Sequence, residues 1–214
     1  PSEKVVGESL DQLIGQAPGR VLVATFASLI SRVQQVINAA HHHGRVVALS
    51  GRSMVDNVNL AIKMGYLNAP EGSLLPLNEV QGRPPQELVI ITTGTQGEPT
   101  SSLVRISNRQ HRDIEVLPND TIIMSASPIP GNETVINRTI DNLCRQGAKV
   151  LYSRNALVHV HGHASLEELK LMLRLTTPTY FVPVHGEYRH LLTHAELARS
   201  LGVAPENAFA LEDG

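Results

Sequence analysis

The stretch ELVIITTGTQGEPTSSLVRIS, residues 87–107, decides the fold. Its first half is an unbroken run of apolar, mostly β-branched residues, Leu88 to Ile91, the pattern of a strand covered on both faces rather than on one. The run stops at Thr92, Thr93 and Gly94, residues that suit a tight turn, and a helix candidate follows at 99–109. Strand, small-residue turn and helix in that order form one βα unit.

The same order recurs along the chain. Apolar runs stand at 20–26 (RVLVATF), 45–50 (RVVALS), 121–127 (TIIMSAS), 148–153 (AKVLYS), 179–186 (TYFVPVHG) and 208–214 (AFALEDG). Helical patterns lie between them, at 3–16, 29–42, 54–64, 132–146, 165–175 and 188–201. The alternation predicts an α/β fold with a mostly parallel sheet flanked by helices. The Pro- and Gly-rich segment 69–85 is the one long irregular connection.

Bulk composition narrows the class. The 214 residues are 42% hydrophobic and 18% charged, with mean hydropathy near zero, which excludes a disordered or fibrous chain. No apolar run approaches the length of a membrane span, so no membrane partner is expected. A lone cysteine, Cys144, rules out an internal disulfide framework and fits a reducing, cytoplasmic setting. The net charge of −2 gives no general attraction to nucleic acid, so any such binding must come from local patches. The chain opens on Pro1 and a helix cap, Ser2, and reads as a piece of a longer protein.

Each expected strand feeds a small, hydroxyl-bearing or glycine-rich turn: TFAS, SGRS, TGTQGEPTSS, SASPIPGNE and HGHAS. In open α/β sheets, ligands sit at the carboxyl ends of strands, where helix amino ends present free N–H groups. Five such turns make a bed for phosphates, although each alone also reads as an ordinary cap or turn. None is a nucleotide motif: GTQGEP lacks the lysine of a P-loop, and no GxGxxG follows the first strand. Aromatic residues make up 3% of the chain, too few for base-stacking platforms, so a bound nucleic acid would be held mainly by its backbone.

The histidines carry the chemistry. In ALVHVHGHASLEEL (156–169), His159, His161 and His163 stand two apart, so in an extended chain all three face one way. His163 and His185 each occupy a Gly-flanked turn before a helix, and neighbouring parallel strands would bring them to one rim. A catalytic zinc needs about three protein ligands, so these two do not close a metal site alone. The run His41–His43 ends a helix, where cationic side chains suit the negative end. His190 and His194 have i, i+4 spacing without the glutamate of the zincin motif, and His111 reads as a surface residue. Arg105, Arg109 and Arg112 form either a phosphate-contacting stripe or a solvated helix face, while Arg52, in the turn SGRS, has the better claim to a phosphate. Glu98 and Glu187 are either proton-handling carboxylates or acids at helix starts.

TFASLISRVQQVINAA, GRSM, TGTQGEPTSSLVRIS, IIMSASPIPGNE, HVHGHAS and YFVPVHGEYRHL, in that order, resemble ribonuclease J, of the beta-CASP group of metallo-beta-lactamase-fold nucleases. The resemblance covers nearly the whole chain. It implies a beta-CASP domain at 1–153 and, at 154–214, a returning βα segment of the metallo-beta-lactamase domain. The implied enzyme holds two zinc ions and cuts RNA, both endonucleolytically and 5′-to-3′ exonucleolytically, in RNA processing and decay. It also implies a homodimer in the full-length protein. His163 matches the motif B histidine, which contacts the scissile phosphate and helps protonate the leaving oxygen. His185 matches the motif C histidine, a zinc ligand, and histidine there resembles the RNA-directed branch. Arg52, Ser53, Ser125, His161, His163 and Ser165 are the residues expected at RNA phosphates. His161 departs from the family, which more often has serine in HVSGHAS. The His-x-His-x-Asp-His motif and the acidic motif A would precede the first residue, so the 214 residues alone are expected to be inactive and to bind zinc poorly. The alternatives are a non-catalytic RNA-binding or dimerisation module, or a DNA-directed nuclease of the same fold.

Overall fold

The structure, a computed structural model, describes residues 2–160 and 162–212. It divides into two compact units, Pro1–Val160 and His161–Gly214.

In the first unit the chain runs α1 (Glu3–Gln16), β1 (Val21–Ala24), α2 (Ile30–His42), β2 (Val46–Ser50), α3 (Arg52–Lys63), β3 (Leu74–Leu75), β4 (Leu88–Thr92), α4 (Ser102–Ser107), β5 (Thr121–Met124), α5 (Glu133–Arg145) and β6 (Lys149–Leu151). The six strands form one sheet in the order β3-β2-β4-β1-β5-β6, and every pairing is parallel. The unbroken apolar strands are explained by packing on both sides. Val21 and Val23 of β1, with Val89 and Ile91 of β4, join a core built on α1, α2 and α3. Leu22 and Ala24, with Leu88 and Ile90, point the other way into a second core with α4 and α5. The period of two therefore divides one apolar run between two layers, and both are buried.

Two buried arginines of this unit, Arg20 and Arg32, are paired with carboxylates. Arg20 reaches Asp120, whose side chain is fully buried, through Nε at 3.2 Å and Nη2 at 2.6 Å, and Asp120 also accepts the Leu117 N–H at 2.8 Å. Arg32 is fully buried and donates to the Val158 carbonyl at 2.7 Å, to Glu3 at 2.6 Å and to the Ser125 hydroxyl. A guanidinium supplies five donors in a fixed fork, which is why one arginine can hold three chain segments at once.

The second unit carries α6 (Leu166–Thr176) and α7 (Tyr188–Ser200) around a small core of Leu173, Ala195, Ala198, Val203 and Ala208. The runs 179–186 and 208–214, expected as strands, meet in a single parallel bridge, Phe181 to Ala208. Phe181 donates to the Asn207 carbonyl at 2.8 Å and Phe209 to the Phe181 carbonyl at 2.9 Å. Beyond that bridge Pro183 has no N–H to offer, and His185 and Gly186 take positive φ of 68° and 128°, which ends extended pairing. Among the described residues no helix is long and apolar enough to cross a membrane.

Candidate phosphate and histidine sites

In the first unit the carboxyl ends of β2 and β4 border a polar cavity of about 710 Å³ lined by Arg52, Ser53, Asp56, Thr93, Glu98, Ser101, Arg105 and His111, among others. Arg52 and Ser53 begin α3, and Gly51 is its N-cap, at φ 107°. A Cβ at Gly51 would lie 2.8 Å from the Thr93 hydroxyl, so the close approach of the β2 and β4 turns requires glycine. With no capping side chain, the first turn of α3 leaves its N–H groups and positive dipole end free for an anion. The turn sequences thus place a helix start and two cations, Arg52 and Arg105, around one cavity.

His111 belongs to this cavity and is not the simple surface residue that the sequence suggests. Its Nδ1 accepts the backbone N–H groups of Asp113 and Ile114 at 3.2 and 3.1 Å, and its Nε2 lies 3.1 Å from the Ser50 hydroxyl. An Nδ1 that accepts cannot carry a proton, so the neutral ring is protonated on Nε2 and donates to Ser50. Burial, then the nearby Arg105 guanidinium, push its pKa down. No local pattern marks this residue; Ser50 is 61 positions away.

The arginine stripe does not form. Helix α4 ends at Ser107, Arg109 takes a left-handed φ of 58°, and Arg112 pairs with Asp113 at 3.0 Å. Of the three, Arg105 alone lines the cavity. Glu98 accepts the Gln96 N–H at 3.2 Å, and Gln96, itself buried, ties the turn after β4 to the turn after β5. Its amide donates to the Ser127 carbonyl at 2.9 Å and accepts from the Ile129 N–H at 2.8 Å.

Ser125, expected at a phosphate, is fully buried, contacts Arg32 and donates to the Val158 carbonyl at 2.6 Å. Its hydroxyl is committed to fixing the end of the chain segment that leads into HVHGHAS.

In the second unit His163 and His185 come together. Their rings stack with centroids 5.3 Å apart and 7° between planes, and both border a cavity of about 640 Å³. His190 and His194 line the same cavity but do not form a free chelating pair. His190 Nδ1 accepts the Glu187 N–H at 3.1 Å in the α7 cap, and His194 packs edge-on to Phe181 at 4.9 Å, its pKa lowered by burial. Glu187 is the N-cap of α7 and contacts Arg189, the helix-start alternative for that acid. Ser165 is the N-cap of α6, its N–H donating to Glu168 at 2.7 Å, and this bond holds the Glu168 carboxyl below its usual range. His161 lies outside the described residues.

His42 and His43 also have partners that their position at a helix end does not reveal: both turn to Asp11 of α1, at 2.8 and 3.3 Å.

Comparison with known proteins bears on both units. Residues 18–143 match the family profile described as Ribonuclease J, beta-CASP domain, and residues 147–210 match the Zn-dependent metallo-hydrolase RNA specificity domain. Over all 214 residues the chain is 44% identical to Ribonuclease J of Synechocystis sp., 48% to Ribonuclease J of Thermus thermophilus and 39% to Ribonuclease J2 of Bacillus subtilis. It spans 33%, 37% and 38% of the length of those relatives.

Proposed function

The chain belongs to the ribonuclease J family of beta-CASP proteins, and from that membership we propose that the full-length protein is a zinc-dependent ribonuclease. It would hydrolyse RNA phosphodiester bonds, both internally and from the 5′ end, in RNA processing and decay in the cytoplasm, as a homodimer. In this reading residues 1–153 form the beta-CASP domain, and 154–214 return to a metallo-beta-lactamase domain.

The observation that carries the reading is the stacked pair His163–His185, two imidazoles from separate loops meeting at one cavity rim. His185 fits a zinc ligand. Imidazole nitrogen suits this metal, and the left-handed backbone at His185, followed by Gly186, presents the ring at a turn rather than in a helix or strand. Among the described residues no group of three ligand-type side chains includes His185, so it would supply one ligand and the others would come from outside them. Zinc, when bound, supplies Lewis acidity and a lowered pKa for coordinated water.

The chain's own residues have separate tasks in this proposal. His163, beside His185 and without a helix-cap duty, holds the scissile phosphate and delivers a proton to the leaving oxygen. Arg52, Ser53 and the first turn of α3 bind RNA phosphates along the polar cavity of the first unit. His161 and Ser165 are further residues assigned to RNA phosphates in this proposal.

The test is cleavage by the full-length protein, with zinc or manganese, of a 5′-monophosphorylated RNA and of DNA of the same sequence. RNA cleavage well above DNA cleavage is expected. Equal or faster DNA cleavage would favour a DNA-directed nuclease, and no cleavage of either would favour a non-catalytic RNA-binding module.

A further inference from the structure

Helices α1 and α2 pack side by side, and this brings Asp11, on α1, against the carboxyl end of α2. There His42 is the last helical residue and His43 the C-cap. The two imidazoles take different oxygens of one carboxylate. His42 Nδ1 lies 2.8 Å from Oδ1, and His43 Nε2 lies 3.3 Å from Oδ2. The three potential ligand atoms all lie within 4.8 Å of one another, and no other trio of His, Cys, Asp or Glu among the described residues does so. The rings sit 4.6 Å apart, tilted by 37°.

The placement of His43 depends on a missing side chain. A Cβ at Gly15, one turn along α1 from Asp11, would fall 2.4 Å from His43 Cε1. A bare backbone is what lets this ring lie against α1. The electrostatics favour a cation, because the carboxyl end of α2 carries the negative pole of the helix dipole and Asp11 adds a full charge.

We propose that Asp11, His42 and His43 form a surface site for a divalent transition metal of the zinc class, built from none of the residues that line the His163–His185 cavity. Two imidazoles and one carboxylate suit zinc, with water completing the shell. Tetrahedral ligands with bonds of about 2.0 Å stand about 3.3 Å apart, so an opening of a few tenths of an ångström at His42 would admit the ion. The bound ion would clamp α1 to α2.

The experiment titrates zinc into the 214-residue chain by calorimetry, and cobalt(II) in parallel, followed by its visible absorption. The chain is compared with Asp11→Asn, His42→Gln, His43→Gln and His185→Ala. One equivalent bound at micromolar zinc is expected, with a higher melting temperature. Each of the first three substitutions should weaken binding at least tenfold, while His185→Ala leaves this equivalent in place. In full-length protein the site should appear as one added equivalent lost in His42→Gln. The proposal is overturned if no zinc binds below about a hundred micromolar, if the three substitutions leave binding unchanged, or if His185→Ala removes the equivalent. Because this site shares no residue with the His163–His185 cavity, failure here leaves the ribonuclease reading as it stands.

Discussion

His163 and His185 stack almost in parallel, 7° between planes and 5.3 Å between ring centroids, although 22 residues and helix α6 separate them in the chain. What distinguishes the two is the backbone beneath them. His185 is one of four described non-glycine residues at positive φ, and Gly186 follows at φ 128°. A residue held in that region costs about 1–3 kcal/mol and persists only where its surroundings enforce it. A Cβ at Gly186 would also meet His190 Cβ at 3.2 Å and Nδ1 at 3.3 Å. Gly186→Ala should therefore displace His185, lowering the RNA cleavage proposed for the full-length protein by about tenfold or more while the first unit keeps its fold. Wild-type activity in this variant would remove the argument for a built turn.

Arg20 and Asp120 provide a stability test at residues that line neither the polar cavity of the first unit nor the histidine cavity of the second. Removing the guanidinium leaves the Asp120 carboxylate buried with one backbone N–H as its remaining partner. Arg20→Ala should cost about 3–5 kcal/mol, read as a fall in the urea midpoint at unchanged slope. Asp120→Asn, which removes the charge and keeps the shape, should cost less.

Gly51→Ala should destabilise the first unit by about 1–3 kcal/mol and weaken the phosphate binding proposed for the α3 start, because φ 107° and the nearby Thr93 hydroxyl both oppose a side chain. Urea unfolding gives the first quantity. Salt-dependent binding of an RNA oligonucleotide to the full-length protein gives the second.

Stability should fall with acid in a window set by His111. Its folded pKa lies below the unfolded value of about 6.5, so between those two values the unfolded chain binds more protons. The stabilisation is complete above about pH 6.5 and is lost as pH falls through the folded pKa. His194 shifts the same way and contributes with the same sign. His111→Gln should flatten the dependence of the urea midpoint between pH 7.5 and 5. The Asp11 carboxyl, lowered chiefly by its hydrogen bond to His42, acts only at lower pH, below its ordinary value near 3.8. An unchanged slope in His111→Gln would show that the ring is not held neutral.

Most of the sheet and nearly every helix were legible, because each apolar run and each helical period is local. The helix expected at 165–175 is Leu166–Thr176, and that at 132–146 is Glu133–Arg145. The failures have local physical reasons. Strand β3 is two residues long inside a Pro- and Gly-rich connection and shows no period. Helix α4 is shorter than its pattern because the backbone is extended at Ser101, before its first residue, and the left-handed Arg109 follows its end. The 179–186 run is apolar enough for a strand, yet Val182 and Val184 are exposed and Pro183 cannot donate.

Site residues were less legible. Turn chemistry predicts that His163 and His185 share a rim and that Arg52 stands at a strand end, and the rings do meet and Arg52 does line the polar cavity. The settings of His111, Ser125 and the Asp11–His42–His43 cluster depend on partners 31 to 93 residues away, which no local pattern encodes. Ser125 illustrates the limit. A serine in a strand-end turn looks like a phosphate ligand until the buried Arg32 is seen against it.

The most direct test of the central claim is metal content and RNA cleavage measured together in full-length His185→Ala and His163→Ala. If His185 holds zinc and His163 serves the phosphate, His185→Ala loses metal and activity together. His163→Ala then keeps its metal and loses about 10²- to 10⁴-fold in rate. Metal lost from His163→Ala and retained by His185→Ala would contradict the assignment.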